Sequence, residues 1–172
     1  MNIVYIILIV IVLLFLIYLF FNITHYKLNN YFIKIELVEE KINTILDNKL
    51  DNIMKIDTII KEKIKTEKEI IDDLSTLKNE DKSKSEIDTA LSDALTKIEY
   101  IKDQYDELEN EEELNTLFDT VNKDDESLNA YKKYYDENVN KYNNLISKFP
   151  YSITAGIFKY KVKKLFEFIP EE

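Results

Sequence analysis

A chain of 172 residues with 33 acidic and 23 basic side chains carries a formal net charge of −10, and every one of its basic residues is lysine. With no cysteine it has no disulfide framework, zinc-thiolate site or cysteine nucleophile, and one glycine is too few for a Rossmann fingerprint or a Walker loop. Two prolines and that glycine are also too few to punctuate a β-sandwich or barrel, which leaves an all-α chain with a membrane segment.

Ile3 to Phe21 is a run without charge, proline or glycine. Nineteen residues at ~1.5 Å each span about 28 Å, close to a bilayer's hydrocarbon core. A cleaved signal peptide needs a basic n-region and a small-residue cleavage site, but only Met1 and Asn2 precede the run and Phe20-Phe21-Asn22 closes it. A core helix of that length is out of scale for so small a domain. The run therefore predicts an uncleaved single-span anchor over residues 3–21, with Tyr5 at one end and Tyr18, Tyr26 and Tyr31 at the other as interfacial aromatics. No side-chain cation precedes it, whereas Lys27 and Lys34 follow, with His25 beside them. The positive-inside rule then expects residues 1–2 outside and the body in the cytoplasm.

Residues 22–149 read as a helical bundle. Val38, Ile42, Ile45, Ile53, Ile56, Ile60, Ile64, Ile71, Leu74 and Leu77 advance mostly by three, four or seven, the buried face of a helix over 26–78. The polar stretch Lys78 to Ser85 reads as a connection, with Ser85 as the next N-cap. Ile87, Leu91, Ala94, Ile98, Ile101, Tyr105 and Leu108 step by alternating fours and threes and predict a helix over 86–108. Asn110 and Glu113 resemble a capping box opening a third helix over 111–148. Its stripe is Leu114, Leu117, Val121, Leu128, Tyr131, Tyr135, Val139, Tyr142, Leu145 and Phe149, stopped by Pro150. Residues 150–172 form a tail of different character, with Gly156, the aromatics Phe158, Tyr160, Phe166 and Phe168, and the lysines 159, 161, 163 and 164.

The expected architecture is thus all-α: a single N-terminal transmembrane helix, then an elongated antiparallel bundle of three long helices, or four if the first is broken, and a short aromatic C-terminal tail. With an unbroken first helix the chain runs away from the membrane, back, and away again, so the tail is expected at the distal end, folded on the bundle through Phe158, Leu165 and Phe166. The rival expectation lays the tail on anionic lipid or a partner.

Several sequence elements recur in order: Tyr105-Asp106-Glu107-Leu108, Tyr134-Tyr135-Asp136-Glu137-Asn138-Val139, Lys141-Tyr142-Asn143-Asn144, Phe149-Pro150, Ile153-Thr154-Ala155-Gly156-Ile157-Phe158 and Phe166-Glu167. Over roughly residues 95–168 this closely resembles the LemA family of bacterial membrane proteins. The resemblance implies an N-terminal anchor, a helical bundle, a tyrosine-rich last helix, a Phe-Pro stop and a short aromatic tail. It marks Tyr135, Val139, Tyr142, Asn143, Phe149, Pro150, Ala155, Gly156, Phe158, Phe166 and Glu167 as structural motif positions. It implies no assigned activity. There are departures. The family's arginine pair and proline in the first long helix are missing from Asn52 to Ile60, its Tyr-Pro reads Tyr105-Asp106, and its Tyr-Asn reads Tyr135-Asp136 and again Tyr142-Asn143.

Candidate chemistry is sparse. His25 has no neighbouring acid or cysteine in sequence and reads as an interfacial residue. Glu111-Glu112-Glu113, Asp124-Asp125-Glu126 and Asp136-Glu137 read as solvated helix faces, since neighbours on a helix point apart and no EF-hand glycine is present. Asp124 or Asp125 is the exception: one of them interrupts the seam and is expected to be buried against a lysine or tyrosine, setting register. Tyr131, Tyr134, Tyr135 and Tyr142 read as core-edge packing with hydroxyls at the rim. No catalytic, metal or cofactor site is expected. Nucleic acid is not expected as a partner of so acidic a chain. The partners expected are a bilayer through residues 3–21 and an unidentified protein. The function expected is a non-enzymatic interaction or scaffolding module on the cytoplasmic face; the alternative is the same bundle facing outward as a surface or envelope protein.

Overall fold

The computed structural model describes residues 3–65, 77 and 82–166. Among them it has no strand and the helices α1 (Ile3–Ile64), α2 (Lys84–Lys102), α3 (Asp106–Glu109), α4 (Glu112–Ile146) and α5 (Tyr151–Ile157). These residues form two compact units, one of 3–37 with 135–166, the other of 38–65, 77 and 82–134. α1 and α4 supply residues to both.

α1 passes without interruption from the apolar run into the body, as a stretch lacking glycine and proline allows. It ends at Ile64 rather than near residue 78. Lys65 takes a φ of 52°, a left-handed conformation that costs an L side chain roughly 1–2 kcal/mol and stops the helix. Ile71 and Leu74 lie outside the described residues, and Leu77 is buried as expected.

In the larger unit α1 buries Val38, Ile42, Leu46, Leu50, Ile53, Ile56 and Ile60, α2 buries Leu91, Ala94, Leu95 and Ile98, and α4 buries Leu114, Phe118, Val121 and Leu128. α2 begins two residues earlier than expected. Its cap is Ser83, not Ser85: the Ser83 hydroxyl accepts from the Glu86 N–H at 3.3 Å while Glu86 accepts from the Ser83 N–H at 2.7 Å. Hydrogen bonding of the Ser83 hydroxyl and backbone N–H to the Glu86 carboxyl holds it below its ordinary pKa. α2 stops at Lys102, because Tyr105 turns extended (φ −129°, ψ 103°) to lead into α3. Leu108 is buried from that short helix, whereas Tyr105 is exposed. Asn110 closes α3 and does not open α4.

Ion pairs fix the helix directions. Lys84, at the start of α2, reaches Glu39, while Lys63, at the end of α1, reaches Glu111 just past α3. α2 therefore runs parallel to α1, and α4 antiparallel to it, with Lys49 on Asp125. The expected away-back-away order is overturned: α2 starts beside residue 39, not beside the end of α1.

In the smaller unit every residue from Ile3 to Leu19 is exposed, and one stretch of this helix is long and apolar enough to cross a membrane. Beyond it α1 buries Thr24, Leu28 and Ile35, and the opposing core is Tyr135, Asn138, Val139 and Tyr142 of α4, Thr154 and Ala155 of α5, and Phe166. The Thr24 and Thr154 hydroxyls lie 2.6 Å apart. The tail is not distal: it packs against the residues that directly follow the apolar run.

Candidate functional site

Two arrangements concentrate polar chemistry, one in each unit. In the larger unit the buried face of α1 continues through Ile42, Leu46, Lys49, Ile53, Ile56 and Ile60 in steps of four and three, so a lysine occupies a seam position and is fully buried. Taking an ammonium out of water costs several kcal/mol even after relaxation. Here that cost is offset by two hydrogen bonds, to Asp125 Oδ1 at 2.5 Å and Ser92 Oγ at 3.4 Å, and by the Asp88 carboxylate, whose Oδ1 lies 3.6 Å away. The second Asp88 oxygen takes Lys132 at 2.9 Å. Two lysines thus alternate with two aspartates across three helices, over about two turns of α4. Sliding any helix by a heptad would set these charges against leucine and isoleucine, so the layer favours one alignment.

Asp124 stands beside this layer with a buried Oδ2 that has no partner. Burial raises its pKa, the neighbouring Asp125 charge raises it further, and Lys49 opposes both. Among the described residues no group of three His, Cys, Asp or Glu side chains is placed to hold a metal ion.

In the smaller unit α4 grips the extended tail. Tyr142 Oη donates to the Lys161 carbonyl at 3.0 Å and Tyr135 Oη to the Lys164 carbonyl at 3.2 Å. Asn143 holds Lys163 at two points, donating to its carbonyl at 2.7 Å and accepting from its N–H at 2.9 Å. Asp136 accepts from the Phe166 N–H at 2.7 Å. The spacing has a simple origin. Seven helical residues rise about 10.5 Å, and three extended residues cover about 10 Å. Tyr-Asp at 135–136 and Tyr-Asn at 142–143 therefore meet tail groups three residues apart.

An aromatic cluster completes this end. His25 stacks on Phe158 with ring centroids 4.2 Å apart, and its Nδ1 lies 3.1 Å from Tyr160 Oη. Tyr160 also packs near Phe32 and Tyr142, and Lys163 Nζ sits 5.0 Å from the centre of the Phe32 ring. Burial pushes the Tyr142 and Tyr160 hydroxyls above their ordinary pKa. Both hydroxyls are engaged in holding backbone or ring, not presented to a cleft.

A sequence model of one protein family matches residues 38–172. The chain belongs to the LemA family. No curated protein and no solved structure matches it. In this LemA chain the motif positions sort by place. Tyr135, Val139, Tyr142, Ala155 and Phe166 are buried, Asn143 and Pro150 are half-buried, and Phe149, Gly156 and Phe158 are exposed. Glu167 lies outside the described residues. A Cβ at Gly156 would meet nothing within 4 Å, so packing does not require the glycine. Where the family's proline is replaced by Asp106, this residue opens α3, a position that suits either proline or an acid. Tyr131 and Tyr134 are exposed, unlike Tyr135 and Tyr142.

Of the sequence candidates, the seam aspartate is Asp125, and its partner is a lysine. The expected stripe runs through Ile45 and omits Lys49; the alternation Leu46, Lys49, Ile53 is the signal that reveals it. Glu111 pairs with Lys63, and Glu137 lies 3.9 Å from Lys141.

Proposed function

We propose that this LemA protein is a membrane-anchored, non-enzymatic interaction or scaffolding module whose body lies on the cytoplasmic face. The observation that carries this reading is the clasp in the smaller unit: α5 and the tail are fastened to α1 at Thr24 and His25, immediately after the apolar run. A folded body fused to its anchor by uninterrupted helix is built to hold a surface at a membrane. Further support is that polar groups suited to chemistry are already engaged, Lys49 and Lys132 with aspartates, Tyr135, Tyr142 and Asn143 with tail backbone.

Orientation follows from lysine placement. Lys27 and Lys34 come soon after the run. The folded unit sharpens this asymmetry: residues 3–37 and 135–166 hold eight lysines against three acids, while 38–134 hold fifteen against twenty-seven. The acidic stretch is the surface offered to a protein partner.

Protease added to intact cells tests the placement. The body should be protected until the membrane is opened; digestion from outside would place it on the outer face. Three lysines inserted after Met1 should weaken or invert the orientation. Capture of the full chain in mild detergent should bring down a stoichiometric protein partner, and turnover of a substrate by the purified chain would contradict the non-enzymatic reading.

A further inference from the structure

Beyond the run itself the smaller unit exposes single apolar side chains such as Ile23, Ile33, Leu37 and Val162, and it gathers four at α5 and its two ends. Phe149, Ile153, Ile157 and Phe158 are 80%, 45%, 59% and 48% exposed. Ile153 and Ile157 are four apart and share one side of α5, while Thr154 and Ala155 on the other side are buried. The core of the unit is thus satisfied without the outer side.

Its position identifies the occupant. Thr154 touches Thr24, three residues past Phe21, which is about 4.5 Å along the helix. The headgroup layer on either side of a bilayer is roughly 5–7 Å deep. Tyr151, at the start of α5, lies by Lys27, one turn further along α1, with Nζ 5.3 Å from the ring centre. α5 therefore advances toward the apolar run and turns back after Ile157, so that Ile157 lies level with its end and Ile153 about one turn behind, still within the headgroup depth. A soluble partner would have to reach a patch set within the headgroup layer; lipid is already there.

Charge agrees. Neither 3–35 nor 138–166 contains a single Asp or Glu, in a chain of net charge −10. Lys159 and Lys161 are exposed on either side of Tyr160, next to Phe158. Apolar side chains bordered by lysines match an anionic headgroup layer, into which lysine stems extend while their ammonium groups meet phosphate.

We propose that α5, with Phe149 and Phe158, is an interfacial foot. It seats its outer side in the headgroup layer of the leaflet that the chain enters, with Lys159 and Lys161 on anionic lipid. The proposal rests on the anchor reading of residues 3–21. It adds a second contact, which would fix the tilt and rotation of the emerging helix.

The absence of cysteine allows single-site spin labels. The full chain, carrying Ile157→Cys, Leu13→Cys or Tyr100→Cys, is reconstituted in phosphatidylcholine vesicles with or without phosphatidylserine. Each label is then scored by its relative accessibility to oxygen and to a water-soluble nickel chelate. Position 13 should read as lipid and position 100 as water. Position 157 should show a several-fold higher oxygen-to-nickel ratio than position 100, increased further by phosphatidylserine. Lys159→Gln with Lys161→Gln should remove that increase while position 13 is unmoved. A lipid reading at 13 with a water reading at 157 overturns the foot and leaves the anchor standing. A water reading at 13 overturns both. Protection of position 157 from oxygen and nickel alike means that protein covers α5, and overturns the lipid assignment.

Discussion

Asn143 is the side chain on which the tail depends most directly, because its amide satisfies both the N–H and the C=O of Lys163. Asn143→Ala should lower stability by about 1–3 kcal/mol, the usual cost of stranding partly buried backbone groups, measured as a shift in the urea midpoint. Asn143→Asp keeps the acceptor for the N–H but sets a second carboxylate oxygen against the Lys163 carbonyl, so it should cost at least as much as alanine. Asp124 gives the pH-dependent counterpart. Below the ordinary carboxylate range both folded and unfolded chains hold its proton. As pH rises the unfolded chain releases it first, because the folded pKa is raised, so stability falls until the folded value is passed. Asp124→Asn should therefore be more stable than wild type at neutral pH, with an advantage that shrinks in acid. Denaturation curves from pH 3 to 7 check this, and an advantage that is independent of pH would count against the buried, ionising carboxyl.

Helix seams were legible wherever spacing alone decides burial. Leu91, Ala94 and Ile98 are buried as their steps predict, and Ile101 is half-buried. Ile98→Ala should cost about 2–4 kcal/mol as a packed truncation. Glu99→Ala, next to it and exposed, should cost under about 0.5 kcal/mol. Two things were not legible. Element ends depend on single backbone conformations, such as the left-handed Lys65 and the extended Tyr105, that neither residue type demands. The buried Lys49 escaped because a lysine on a helix ordinarily marks the solvent side. Only its fit to the four-three alternation, together with aspartates on two other seams, marks it as interior. Asp125→Leu would leave Lys49 with the longer Asp88 and Ser92 contacts. Removing one partner of a buried pair costs about 3–5 kcal/mol, and the partial exposure of Asp125 places the expected loss at the lower end of that range. Asp125→Leu combined with Lys49→Met should recover much of it.

At the scale of the whole chain, the tail carries the largest difference between pattern and fold. Periodicity counts helices but not their directions, and a continuous first helix to residue 78 would have sent the last helix outward. The ion pairs instead make α2 parallel to α1 and return α4 to the residues after the apolar run. The tail motif is legible as a unit in the sequence, whereas its mechanism, two Tyr-polar pairs a heptad apart matching three extended residues, is visible only once the tail is placed on α4. The proposed function rests on this return: the C-terminal motif is tied to the residues that directly follow the apolar run. A disulfide tests that claim most directly. The Thr24 and Thr154 hydroxyl oxygens, 2.6 Å apart, stand close to where two thiol sulfurs must meet. In the full chain, otherwise free of cysteine, Thr24→Cys with Thr154→Cys should oxidise rapidly within single molecules in native membranes. The Ile35→Cys with Thr154→Cys pair, its α1 partner about 16 Å further along the helix within the same unit, should not. Failure of the first pair to close, or closure of the second instead, would contradict the proximal tail.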